Sequence, residues 1–246
     1  MAGRGVTGSQ SRSGGPNPAG AAPRPGSAWL LAVATLVLLA FYYLARVDAI
    51  GVSGPGKSWF ALTQPPLTPV AHFAAAAVLL GLIPLLAARR LTGLDLRALG
   101  LGLGRWRAGL ACLAIGIPLA VLAGRIAALS PAMRAVYPLD PALTAEPLVF
   151  ARGAALQFLY FGAWEVLFRG VLLFGLIGLM GATGSILTQT ALSVTAHFGR
   201  ALNETFAAVP AGLVFGWLTL RLESIWYVAV LHWLVGVSMD WFILTT

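Results

Sequence analysis

The sequence predicts an all-α, polytopic membrane protein with about seven or eight transmembrane or partly inserted helices. Hydrophobic residues make up 59% of the 246 positions and charged residues only 10%, whereas a soluble domain carries about 25% charged residues. Mean hydropathy is +0.85, and the apolar runs are long. Because about 20 apolar residues cross a bilayer as a helix with every backbone group satisfied internally, these runs favour helices.

The first residues differ in composition from the rest. Residues 1–27 are rich in Gly, Ser, Pro and Arg, so we expect a disordered tail followed by one membrane domain at 28–246. Helical segments are predicted at 28–45, 67–88, 108–129, 148–167, 171–180, 185–197, 206–220 and 224–244. Several later segments are shorter than a full crossing, which indicates tilted or partly inserted helices around an interior cavity.

The distribution of arginine predicts the orientation in the membrane. Residues 91–106 are too polar to span, so we expect a short interfacial helix or a loop there. The stretch from Arg89 to Arg107 is the most basic connection in the chain, with Arg89, Arg90, Arg97, Arg105 and Arg107. Positive loops face the cytoplasm, so this loop and the N-terminus are predicted to be cytoplasmic, in a cell (plasma) membrane.

Composition also excludes some classes of protein. The net charge of +8 does not indicate nucleic-acid binding, because no soluble domain presents a basic face. Cys112 is the single cysteine, which excludes a disulfide framework and a cysteine-based metal site. Lys57 is the only lysine, and this preference for Arg, with many Ala and Gly residues, suggests a GC-rich bacterial genome.

Ionisable residues within membrane spans are costly and therefore mark candidate functional sites. Glu165 and Arg169 are four residues apart, on one helix face, where they can pair. His197 ends one predicted helix, and His232 lies in the middle of the last one. A structural ion pair and hydrogen bonding between helices are the alternatives for these residues.

Three further polar residues are secondary candidates. Asn203 and Glu204 form a polar link before a predicted helix, where Glu204 also fits a role in the first turn that favours the helix dipole. Asp240 follows His232 by eight residues on the same face.

The run from Glu165 to Gly170 resembles the first motif of the CPBP family of intramembrane endopeptidases, which includes the Abi-like proteins and the type II CAAX prenyl proteases. Glu165, Phe168, Arg169 and Gly170 match that motif from its second Glu onward. His197 and His232 match the second and third motifs in order and spacing. The resemblance covers about residues 148–244.

The resemblance implies an intramembrane endopeptidase that hydrolyses a membrane-associated protein or peptide, with CAAX-type prenylated proteins as one such class of substrate. A water would be activated by Glu and His, with Glu165, His197 and His232 as catalytic residues and Arg169 orienting Glu165. The substrate is then a membrane-anchored protein or peptide in the lipid bilayer.

Two positions depart from the family pattern. The family's first Glu is Trp164 here, and the usual Asn after the third-motif His is Gly236. Two alternatives therefore stay open: a catalytically silent member that binds a membrane protein or peptide, and a small proton-coupled transporter that uses the same buried charges.

No cofactor is expected. The alternative is zinc bound by Glu165, His197 and His232, since three protein ligands with one open position are typical of catalytic zinc. The zinc-protease helix pattern His-Glu-x-x-His is absent from the sequence.

The predicted orientation can be tested by cysteine labelling. With Cys112 replaced by serine, Ser9→Cys and Ala98→Cys should react with a membrane-impermeant maleimide only after the cells are permeabilised, because both sites are predicted to be cytoplasmic. Labelling of both sites from outside intact cells would overturn the orientation.

Overall fold

The computed structural model describes residues 22–45 and 67–246, which form helices, turns and loops without a strand. The helices are α1 (Trp29–Leu44), α2 (Pro69–Thr92), α3 (Trp106–Ala128), α4 (Pro131–Arg134), α5 (residues 147–180), α6 (residues 182–195), α7 (Leu202–Leu222) and α8 (Trp226–Thr245). Five helical stretches are long and apolar enough to cross a membrane, and α1 is a shorter apolar helix. The predicted all-α membrane fold is confirmed.

The limits of the helices follow from local capping. Thr68 and Glu146 precede α2 and α5, and each side chain accepts a hydrogen bond from a backbone N–H of the first turn. A proline follows each of these caps at the first helical position, where its missing N–H costs nothing. Gly93 ends α2 in the left-handed conformation, with φ 69°, as glycine commonly does after a helix.

One predicted helix boundary is wrong. The separate segments predicted at 148–167 and 171–180 form the single helix α5, which passes through π-helical turns at Val166–Phe174. All nine residues of these turns are buried. Gly170, which lies between the two predicted segments, is closely packed, since a Cβ there would lie 3.2 Å from the carbonyl oxygen of Leu99.

The chain reverses at Gly181, which has φ 69° and ψ 176°. The rings of Trp164 on α5 and His197 after α6 lie 5.2 Å apart, whereas 33 residues of continuous helix would separate them by about 50 Å. The helices α5 and α6 therefore form an antiparallel hairpin. This hairpin brings the end of α6 back to the middle of α5.

Small residues allow α3 to lie directly against α8. A Cβ at Gly109, Gly116 or Gly124 would collide with Tyr227, Leu231 or Ser238, in that order. The residue numbers of the glycines on α3 and of their partners on α8 increase together, so the two helices run parallel. Close approach through small residues is the usual way in which membrane helices pack.

The helix α8 also packs against α5, in the opposite direction. Phe150 contacts Trp241, Gln157 donates to Asp240, and Glu165 accepts from His232. Residue numbers therefore rise along α5 as they fall along α8. With α3 on one side and α5 on the other, α8 lies in the interior of the bundle. Two of its polar side chains, His232 and Asp240, contact α5.

The basic segment between α2 and α3 is a loop, one of the two predicted possibilities. It is tied to the start of α8 by three hydrogen bonds: Ile225 N to Gly100 O at 3.0 Å, Trp226 Nε1 to Leu101 O at 2.9 Å, and Tyr227 Oη to Leu103 O at 2.8 Å. The loop thereby fixes the end of the bundle at which α8 begins.

The predicted tail at 1–27 extends too far towards α1. Ser27 is buried, and Arg24 donates to the carbonyl oxygen of Thr92 at 3.3 Å. These residues therefore pack against the end of α2. The rest of the predicted tail, residues 1–21, lies outside the described residues.

Candidate active site

A buried carboxylate lies at the centre of α5. Glu165 has no exposed surface, and its Oε1 accepts hydrogen bonds from Arg169 Nη1 at 3.1 Å and His232 Nδ1 at 2.7 Å. The Arg169 contact has the predicted i,i+4 spacing on one helix. The His232 contact comes from α8 and depends on the antiparallel packing of α8 against α5.

The Arg169 side chain is buried with Glu165. Its guanidinium carbon lies 5.7 Å from the ring centroid of Phe215 on α7, at the distance of a cation–π contact. Two atoms of the pair, Glu165 Oε2 and Arg169 Nε, have no protein hydrogen-bond partner. Buried charges of this kind are costly unless they are paired, so each residue depends on the other.

Aromatic rings hold the imidazole of His232. Phe161 packs edge-on at 4.8 Å and Phe215 lies at 5.9 Å, measured between ring centroids. The His232 side chain keeps 24% of its surface exposed. Because Nδ1 points to Glu165, Nε2 is the ring nitrogen left for a further ligand.

His197 packs against Trp164, with 5.2 Å between the ring centroids, and makes no hydrogen bond to Glu165 or His232. Its Nδ1 donates to the carbonyl oxygen of Ser193 at 2.7 Å. Burial, followed by the charge of Arg200, lowers the pKa of His197 to about 3, so the ring is neutral. A neutral ring with a proton on Nδ1 has a lone pair on Nε2.

A second polar cluster surrounds Glu204 at the start of α7. Its Oε1 accepts hydrogen bonds from Arg200 Nη1 at 3.2 Å and Tyr137 Oη at 3.0 Å. Arg200 also donates to Tyr137 at 2.7 Å and to Tyr160 at 2.9 Å. The distance from Glu204 Oε1 to Nε2 of His197 is 4.0 Å.

Sequence reasoning missed three members of this second cluster. The i,i+4 spacing of Arg200 and Glu204 was a usable signal for Arg200. No sequence signal indicated Tyr137 or Tyr160, because they come from the α4–α5 connection and from α5 and meet Arg200 only in the folded chain.

The structure thus brings together some predicted site residues and not others. Glu165, Arg169 and His232 are in direct contact. His197 is near enough for the charges of His232 and Arg169 to lower its pKa, but it faces Glu204. Asp240 is buried and accepts a hydrogen bond from Gln157 at 2.6 Å, while Asn203 is exposed.

Aromatic rings occupy the space at the two positions, 164 and 236, that depart from the family pattern. A Cβ at Gly236 would lie 2.5 Å from the ring of Phe161, so this ring occupies the space next to Gly236. Trp164 is buried and packs against His197 at 5.2 Å and Phe168 at 4.8 Å. Hydrophobic contacts therefore replace polar groups at both positions.

A mostly apolar cavity of about 300 Å³ lies beside the site, between α1 and α6. Trp164, His72 and Arg200 are among the residues that line it, and Glu165 and His232 are not. His72 is buried, bonds through Nδ1 to the carbonyl oxygen of Ala45, and stacks on Tyr160.

The residues of the alternative zinc site are not arranged as a set of ligands. Within residues 22–45 and 67–246, no group of three or more His, Cys, Asp or Glu side chains is placed to hold a metal ion. Glu165 and His232 bond to each other, and His197 faces Glu204.

The fold and this site define a polytopic membrane protein with an ionisable cluster buried among its helices. Residues 147–238 match the family model for type II CAAX prenyl endopeptidase Rce1-like proteins. This segment is therefore an Rce1-like domain, and the predicted family resemblance is confirmed. No curated protein and no solved structure gives a significant match to the chain.

Removing one charge of the buried pair should destabilise the fold. We expect Arg169→Met to lower the free energy of unfolding by about 3–5 kcal/mol, because Glu165 would lose its buried cation. The matched control is Arg152→Met on the exposed face of the same helix. Unfolding in detergent measures both, and equal stability of the two variants would contradict the prediction.

Proposed function

We propose that the protein is an intramembrane endopeptidase that hydrolyses a peptide bond of a membrane-associated protein or peptide. A substrate with a prenylated CAAX-type C-terminus is the first candidate, since the matched family is described by that activity. We further propose that the protein lies in the cell membrane with its N-terminus in the cytoplasm, following the arginine distribution.

The observation that carries this proposal is the 2.7 Å contact between Glu165 and His232 inside the Rce1-like segment. Three ionisable groups in an apolar bundle reduce stability unless they are compensated, so a cluster of this kind is a candidate for chemistry. Partial exposure of His232 gives this cluster access to a substrate.

The geometry supports distinct roles for the two members of the pair. Glu165 holds the ring of His232 through Nδ1 and stabilises the positive charge of its protonated form, as a carboxylate does for a catalytic histidine. The protonated ring then donates from Nε2 to the oxyanion that develops on the carbonyl group. Arg169 orients Glu165.

His197 supports the attack by water. Its Nε2 lone pair can accept a hydrogen bond from the water and so orient the oxygen. Asp240, a secondary candidate for the base, is two helical turns beyond His232 and is engaged by Gln157, which does not favour a part in this step.

A silent family member that binds a membrane protein or peptide is the second candidate function. The aromatic rings of Trp164 and Phe161 at the two departing positions favour it, since they place no polar group where the family has one. The two candidates differ in whether the purified protein turns over a peptide.

Substitution of the central pair tests the proposal. Purified protein in liposomes should cleave a quenched fluorescent peptide with a farnesylated CAAX C-terminus. Glu165→Gln and His232→Ala should each lower kcat/KM by about a hundredfold or more, because an oxyanion donor is lost. Asp95→Asn, in the exposed basic loop, is the control and should match wild type.

The outcomes separate the two candidate functions. Near wild-type turnover in both site variants would exclude the assigned residues. An inert wild type that gains activity on Trp164→Glu would instead support the silent-member function.

We also propose that no metal is required. Dialysis against a chelator should leave peptide cleavage unchanged, since activation of the water is assigned to protein groups. Metal content and activity are measured on the same sample. Stoichiometric zinc in the purified protein, with activity lost to chelator and restored by zinc, would reverse this assignment.

A further inference from the structure

His197 and Glu204 present two hydrogen-bond acceptors to each other. The lone pair of His197 is on Nε2, because Nδ1 donates to Ser193 O. Glu204 Oε1 lies 4.0 Å from that nitrogen, too far for a direct hydrogen bond and without a proton to share. Two hydrogen bonds of about 2.8 Å that meet at one water oxygen separate their acceptors by about 4–4.5 Å. The 4.0 Å gap between His197 Nε2 and Glu204 Oε1 therefore fits one water molecule that donates a hydrogen bond to each of them.

The Glu204 carboxylate is fixed with one oxygen free. Arg200 and Tyr137 both donate to Oε1, and Tyr160 accepts a hydrogen bond from Arg200. Oε2 is buried and has no hydrogen-bond partner among the described residues. Such an oxygen in a folded protein is usually satisfied by an ordered water.

Glu204 and Glu165 differ in their access to water. The Glu165 side chain is 0% exposed, and its Oε1 is occupied by Arg169 and His232. The side chains of His197 and Glu204 are 12% and 16% exposed. A base must come within hydrogen-bond reach of the water it activates, and Glu204 meets this condition better.

We propose that Glu204 is the second carboxylate of the site and takes the proton from the attacking water, which His197 orients. This inference rests on the proposed peptidase function. The water oxygen forms a bond to the peptide carbonyl carbon, and its proton passes to Glu204. The carbon–nitrogen bond then breaks and the same proton goes to the leaving nitrogen, so no further reactant is needed.

The proposal gives a reason for the departure at Trp164. The carboxylate that is missing from α5 is supplied from the start of α7. The Trp164 ring packs against His197 and so holds the imidazole towards Glu204. A structural ion pair between Arg200 and Glu204 is the competing explanation, and it predicts no special effect on turnover.

The test uses full-length protein in liposomes and the farnesylated CAAX peptide as probe. Glu204→Gln keeps the shape of the side chain and should lower kcat by about a hundredfold or more, the usual contribution of a general base. KM and the melting temperature should stay close to wild type. Glu223→Gln, at the other end of α7, is the matched control and should be fully active.

Chemical rescue distinguishes the two carboxylates. Added formate should raise the cleavage rate of Glu204→Ala about tenfold, because a small carboxylate can reach the partly exposed position and act as the base. It should not restore Glu165→Ala, whose position is sealed. If Glu204→Gln fails to fold, Glu204→Asp keeps the charge for Arg200 and retracts the carboxylate by one methylene, so its activity should still fall.

The outcomes separate this inference from the proposed function. An active wild type with Glu204→Gln or Glu204→Asp within threefold of its kcat would overturn the role of Glu204 and leave the peptidase proposal in place. Rescue of Glu165→Ala by formate, without rescue of Glu204→Ala, would also overturn the role of Glu204 and leave the peptidase proposal in place. A wild type that does not cleave the probe would count against the peptidase proposal itself, and the role of Glu204 would fall with it.

Discussion

The site depends on the burial of a charged pair, Glu165 and Arg169, inside an apolar helix bundle. Neither charge is stable there alone, and one turn of α5 supplies both. Their pairing leaves Glu165 able to accept from His232, which joins α5 to α8. A hydrophobic pair at these positions would hold the helices together equally well, so stability alone does not explain the charges.

The reversal at Gly181 determines what surrounds this pair. It returns the chain along α5, so that His197, Arg200 and Glu204 come beside Trp164 and Tyr160. Two polar clusters are then close to each other, and the Trp164 ring packs against His197 of the second cluster. One cluster holds a histidine against a buried carboxylate, and the other holds a partly exposed carboxylate opposite a neutral histidine.

The aromatic rings at the two positions that depart from the family pattern fit this arrangement of two clusters. Trp164 and Phe161 close the space that a carboxylate and an amide would fill in the family pattern, and both rings contact a site histidine. The rings therefore restrict the orientation of His197 and His232. Their packing is compatible with a site in which the second carboxylate comes from another helix.

The membrane class, most of the helices and the Glu165–Arg169 pair could be predicted from the sequence alone. Long apolar runs have few alternatives in a bilayer, and i,i+4 pairing is local to one helix. The sequence did not locate the reversal, because Gly170 and Gly181 are both glycines in apolar surroundings, and only the second has a non-helical backbone in the folded chain. The contact of His232 with Glu165, and the meeting of Tyr137 with Arg200, join residues more than 60 positions apart. These contacts depend on long-range packing, since they follow from the direction in which α8 and the α5–α6 hairpin pack.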